Sequence, residues 1–356
     1  MNQFKKSEDL DIYEMDYSSN QNLQEICEIR QPVLFNFYAV NPNFFYDLSN
    51  RSIAKYGSYD VKIKDAHDYY KENKNVESVA LSLASTLNLF ENDNASHFFS
   101  ENNEDFLDES GALKVVQTMD EFLKPTFTIH RNYDLLFGSL NSVTPLRYQT
   151  HYRQYLCVTS GKINVKMTPW KSHKYLYPIV DYENYEFRSP VHPIHPQSHY
   201  LKDYEKTKFV EFEVLKGYVL YIPPYWWYSI EYSEVNTFVA GVSYTTVMNS
   251  VSNLPNIMIH WLQQQNITKK ITKIPEKKSP LVETSPAFTD QLADTSSSHV
   301  EPIDMSQLTY KGAPENQEPV KETNREENPP VQPSVEEEPI GKASSDVNDG
   351  PVLDNI

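Results

Sequence analysis

Histidines are the side chains in this sequence best able to hold a metal, because a neutral imidazole offers a lone pair near physiological pH. His192, His195 and His199 lie within residues 189–199, and His151 follows Gln149 by two positions. Together they could rebuild a site for a transition ion. Prolines at 190, 193 and 196 hold the first stretch extended and loop-like, and histidines on such a segment are more often solvated than ligating. Cys27 and Cys157 alone make neither a zinc pattern nor a disulfide framework. Cys157, among apolar neighbours in an expected strand, reads as a buried inert thiol. Trp226 and Trp227 alternate faces of one expected strand, and a base-stacking platform there lacks interleaved cations.

These groups sit in a part of the chain patterned for strands. Residues 133–247 read as short aromatic or β-branched runs punctuated by Gly and Pro: 135–139, 153–158, 163–168, 209–215, 218–222, 227–232 and 238–247. Many strands at short spacing predict a barrel or sandwich. Ahead of them, residues 22–29 read as a helix and 32–38 as a strand. Residues 76–90 read as a helix with Val76, Val79, Leu83, Leu87 and Phe90 on one face, and 113–123 is a further helix candidate. Residues 254–264 close the body as an amphipathic helix whose apolar face, Leu254, Ile257, Met258, Trp261 and Leu262, is wide enough to pack on the barrel or to meet a second copy. The expected organisation is an N-terminal extension (1–20), a domain (21–266) with its strand-rich core at 133–247, and a disordered tail (267–356).

Net charge is −17 over 356 residues, and residues 291–356 carry −10 of it, leaving −7 for the rest. So mildly acidic a body argues against wholesale capture of a phosphate backbone, and nucleic acid is not an expected partner. The tail is basic first (Lys269, Lys270, Lys273, Lys277, Lys278) and acidic last (Glu326, Glu327, Glu336, Glu337, Glu338), with too little apolar surface to fold alone. No run approaches the ~20 apolar residues of a membrane span, and residues 1–10 lack the apolar run of a signal peptide. Two unlinked cysteines suit a reducing compartment, so the expected setting is intracellular, cytoplasmic or nuclear.

Two segments sharpen this reading: Ser142-Val143-Thr144-Pro145-Leu146-Arg147-Tyr148-Gln149 and Tyr221-Ile222-Pro223-Pro224-Tyr225-Trp226-Trp227-Tyr228. They resemble the two signature strands of the JmjC-type cupins, the factor-inhibiting-HIF-like family of iron- and 2-oxoglutarate-dependent oxygenases, where they read roughly T-P-x-H-x-D and I-P-x-x-W-W-H. The resemblance extends loosely over residues 22–264. It implies a mainly β fold with flanking helices: a double-stranded β-helix of cupin or jelly-roll type, with a helical N-terminal region and a closing C-terminal helix. In the family, His, Asp and a second His hold Fe(II). Here those positions carry Arg147, Gln149 and Tyr228. A guanidinium offers no lone pair and keeps its charge, so Arg147 would repel the ion it replaces. Thr144 matches a 2-oxoglutarate contact of the family, whereas the family's lysine falls on Ile163. Lys162 stands one residue early, on the opposite face of a strand. Gln154, Trp227 and Ser243 complete the expected pocket.

The resemblance, with its metal positions degenerate, implies a pseudoenzyme that has no cofactor and serves as a binding or structural module. Arg147 would then either offer a positive centre to a carboxylate of a peptide or small acid, or pair with an internal acidic group. The alternative is a protein hydroxylase using Fe(II) and 2-oxoglutarate on displaced ligands, His151 with His192, His195 or His199. The expected partners are an unidentified protein or peptide and a second copy docked through the closing helix. The Asn-, Tyr- and Lys-rich, Gly-poor composition is similar to that of cupin-like proteins of AT-rich genomes, large DNA viruses among them, which adds a virion component to the expected settings.

Overall fold

Strand residues here alternate between two apolar environments, and that alternation builds two facing sheets. A computed structural model describes residues 10–71 and 76–272, so the expected tail lies outside the described residues from 273 onward. Its strands are β1 (Tyr13–Asp16), β2 (Val33–Asn36), β3 (Asp60–Asp65), β4 (Val79–Ser82), β5 (Phe98–Ser100), β6 (Thr128–Gly138), β7 (Arg147–Tyr148), β8 (Arg153–Ser160), β9 (Lys162–Thr168), β10 (Ile179–Asp181), β11 (Glu186–Arg188), β12 (Val210–Leu215), β13 (Tyr218–Ile222), β14 (Trp227–Tyr232) and β15 (Phe238–Thr246). A nine-stranded sheet runs β1-β2-β13-β8-β15-β6-β5-β3-β4, and a six-stranded sheet runs β10-β11-β7-β14-β9-β12. The pairings are antiparallel apart from β1 with β2. This is the expected jelly-roll arrangement.

The period of two is legible on single strands. On β8, Tyr155 and Cys157 pack with Leu23, Phe44 and Phe45 of the helices that cover the large sheet. Leu156 and Val158 join Ile163, Val165 and Ile230 between the sheets. β13 repeats the division, with Val219 and Tyr221 outward and Leu220 and Ile222 inward. Each fully buried aromatic or aliphatic side chain contributes about 1.5–3 kcal/mol. Toward one end the inward positions turn polar. On β6, Leu136 gives way to Asp134, Asn132 and His130; on β8, Leu156 gives way to Gln154; on β15, Val239 gives way to Gly241, Ser243 and Thr245. That polar end is the barrel mouth.

Several expectations change. Residues 76–90 divide into β4 and the helix Leu83–Glu91. The Ser82 hydroxyl accepts from the Ser85 N–H and caps the helix, while Val79 pairs with Ile63 on β3, where a β-branched residue fits. The region ahead of residue 128, expected as helical apart from 32–38, also supplies β1, β3, β4 and β5 to the large sheet. Residues 113–123 form two short helices, Leu113–Gln117 and Asp120–Leu123. Between them the Thr118 hydroxyl bonds the Val115 carbonyl, a local competitor of helix continuation.

The closing helix, Leu254–Thr272, packs on the barrel with its polar side. Tyr182 Oη donates to Asn256 Oδ1 (3.2 Å), His260 Nδ1 lies 2.6 Å from the Tyr182 carbonyl, and Gln264 Nε2 donates to the Glu183 carbonyl (2.6 Å). Leu254, Met258, Trp261 and Leu262 are exposed, Trp261 by 60%. Of the two orientations open to this helix, most of the apolar face does not take the barrel; of its five residues Ile257 alone lines the cavity at the mouth. Among the described residues no helix is long and apolar enough to cross a membrane.

Candidate functional site

β7 is two residues long, and its neighbours fix its register from both sides. Arg147 stands opposite Tyr228 on β14 and opposite Arg188 on β11, and directly opposed residues of antiparallel strands share a face. The Arg147 guanidinium carbon lies 5.6 Å from the Tyr228 ring centre. Gln154 Nε2 donates to Tyr228 Oη at 2.9 Å. Ser243 is the cross-strand partner of Gln154.

Arg147 is ion-paired. Its Nη1 lies 2.5 Å from Glu101 Oε2, and Lys64 Nζ lies 2.9 Å from Glu101 Oε1. One carboxylate is thus gripped by two cations, and all three side chains are buried. Glu101 is delivered by the turn after β5, where Asn102 adopts a left-handed φ of 63°. The N–H groups of Asn102 and Asn103 tie that turn to the Asp134 carboxylate at 2.9 and 2.7 Å. Burial alone would raise the Glu101 carboxyl, but Arg147 and Lys64 hold it below the usual carboxylate range. Glu186, which shares a face of β11 with Arg188, has the opposite fate: burial, with Glu101 nearby, pushes its carboxyl up. The guanidinium of Arg188 lies over the Tyr69 ring at 4.9 Å. Three cations, Lys64, Arg147 and Arg188, therefore surround two carboxylates.

Above this cluster opens a cavity of about 430 Å³ lined by Arg147, Gln149, His151, Gln154, Tyr228 and Ser243, among others. Six of the residues singled out from sequence are thus brought together. The others are placed elsewhere. Thr144 is buried and structural, its hydroxyl accepting from the Ile230 N–H (2.9 Å) and its carbonyl from Ser229 Oγ (2.6 Å). Ile163 belongs to the inter-sheet core, and Lys162 turns to the other face and pairs with Glu213 at 2.6 Å. Trp227 packs edge-on against Tyr148 at 4.8 Å in a separate aromatic cluster.

His151 does not share a site with His192, His195 and His199. His151 lines the cavity with Nδ1 3.1 Å from Thr245 Oγ1, and burial, aided by His130, pushes it down to about 4. His192 Nδ1 accepts from the N–H groups of Ile194 and His195, and His199 packs on Tyr200; none of these three lines the cavity. Arg147, Gln149 and Tyr228 offer a guanidinium, an amide and a phenol, a set that does not suit Fe(II).

Lys64, Glu101, Glu186 and Arg188 were not found from sequence. The available signal was charge inside apolar strand patterns, Lys64 next to Val61 and Ile63, and Glu101 after Phe98 and Phe99.

Comparison with protein-family models matches residues 36–250 to one described as a cupin-like domain. No curated protein matches the chain.

Proposed function

The chain belongs to the cupin-like domain family, and from that premise we propose that it is a catalytically inactive member whose barrel mouth binds a ligand without transforming it. The observation that carries this reading is the Glu101 carboxylate clamped between Arg147 and Lys64 where the family's first metal ligand is expected. A guanidinium whose charge is already matched by a buried carboxylate is held in place electrostatically, and it presents N–H donors where an imidazole would present a lone pair. The 2-oxoglutarate lysine position, filled by buried Ile163, supports the loss of the cosubstrate.

The cavity volume falls in the range of small-molecule sites. Its chemistry is polar. Side-chain oxygens of Gln154 and Glu186 and the Nε of Arg147 lack hydrogen-bond partners among the described residues, and buried polar atoms are ordinarily paired. The lining carries Arg147 against the carboxylates of Glu101, Asp134 and Glu186, so the cavity is suited to a small polar ligand or a peptide side chain that both donates and accepts hydrogen bonds. Cys27 and Cys157, both free and buried, support a reducing compartment, cytoplasmic or nuclear.

The test is turnover. Purified protein incubated with Fe(II), 2-oxoglutarate and oxygen is expected to release no succinate above a protein-free control. Succinate release that His151→Ala abolishes would establish the displaced-ligand hydroxylase instead.

A further inference from the structure

Outside the mouth, where β3 meets β5, Asp65, His67 and His97 converge so that one ligand atom from each lies within 4.8 Å of the others. The backbone dictates this meeting. Asp65 is the cross-strand partner of Phe98, which brings His97 alongside, and the Ala66 N–H donates to the His97 carbonyl at 2.7 Å. Asp65 Oδ1 then accepts the His67 N–H at 2.8 Å and turns the chain into the 3-10 turn Ala66–Tyr70. The His97 N–H is held by Asp93 Oδ2 at 2.7 Å. As a result the two imidazoles lie 3.9 Å apart between ring centres, with His67 Nδ1 3.6 Å from Asp65 Oδ1.

We propose that Asp65, His67 and His97 bind a divalent transition ion of the zinc class. Two imidazoles and a carboxylate form a borderline donor set, which prefers zinc and its neighbours to calcium or magnesium. Ligand distances of about 2.0–2.2 Å require the three donor atoms to draw together by roughly an ångström, a rotation that exposed His67 allows. Water fills the fourth position. The site is open and separate from the cavity lining, so it has no enclosed space from which to exclude solvent around a substrate. Its role is to clamp. The ion pins the 3-10 turn, whose Tyr69 stacks on Phe99 (6.0 Å) and covers Arg188, and so stiffens the layer over the buried charge cluster.

The experiment is calorimetric titration of ZnCl2 into the metal-stripped full chain. One zinc per chain is expected, weakened at least tenfold by His97→Ala and by Asp65→Asn. The asparagine oxygen can still accept the His67 N–H, so Asp65→Asn tests the charge with the turn intact. His199→Ala, which removes an imidazole elsewhere on the chain, is expected to leave the affinity unchanged. The proposal is overturned if wild type takes up no zinc, if the first two variants bind as tightly as wild type, or if His199→Ala weakens binding as much as they do.

Discussion

A guanidinium buried at the barrel mouth brings a fixed charge that must be balanced. Here Glu101 balances both Arg147 and Lys64. Glu101→Ala leaves two buried cations unmatched and is expected to cost about 3–5 kcal/mol in urea unfolding. Replacing Lys64, Glu101 and Arg147 together by methionine removes the charges as a set and is expected to recover most of that loss. The pH dependence has a defined sign. His151 and Glu101 both have folded-state values depressed below their ordinary ones. Their stabilisation is full above the unfolded values and is lost as pH falls, for His151 from about 6.5 down through about 4. His151→Asn is expected to flatten the fall in urea midpoint between pH 6.5 and 4, and an unchanged slope would place the titration elsewhere. Arg147, Gln149 and Tyr228 were legible in the sequence because local motifs flank them. Their ionic partners were not, because Lys64 and Glu101 lie far away in sequence and meet Arg147 through the order of strands in space.

Elements were legible where one period dominated. Most strand runs read between residues 133 and 247 lie in observed strands to within a few residues, because apolar and β-branched residues there follow a period of two. Residues 76–90 misled because their apolar spacing satisfied a helix while Ser82 supplied a cap in the middle. The β8–β9 turn rests on Gly161, whose φ of +67° favours glycine and whose added Cβ would lie 2.2 Å from Thr237 Oγ1 and 2.9 Å from Thr237 Cα. That turn joins the strand carrying Gln154 to the strand carrying Ile163. Gly161→Ala combines backbone strain with a clash against backbone, and is expected to lower stability by at least about 1 kcal/mol in thermal or urea unfolding.

At the scale of the molecule, the closing helix is inverted relative to an ordinary surface helix, polar toward the barrel and apolar toward solvent. Its amphipathic spacing was readable, but which side meets the barrel depends on the carbonyls of Tyr182 and Glu183, which only the fold brings near. Val247, Met248, Val251 and Phe127 extend the exposed apolar surface, with Phe127 84% exposed. Residues 247–265 contain no Asp, Glu, Lys or Arg, so no like-charge repulsion would oppose two copies meeting on this face. Light scattering is expected to give a dimer for the wild type and a monomer for Trp261→Glu combined with Leu262→Glu; a monomeric wild type would leave the face to another partner.

The proposal that the mouth carries out no iron chemistry is tested most directly by calorimetry. 2-Oxoglutarate is titrated without oxygen into the full chain, with and without Mn(II) as a redox-inert stand-in for iron. No manganese-dependent binding of 2-oxoglutarate is predicted. Stoichiometric binding that requires the metal and disappears in His151→Ala would contradict it.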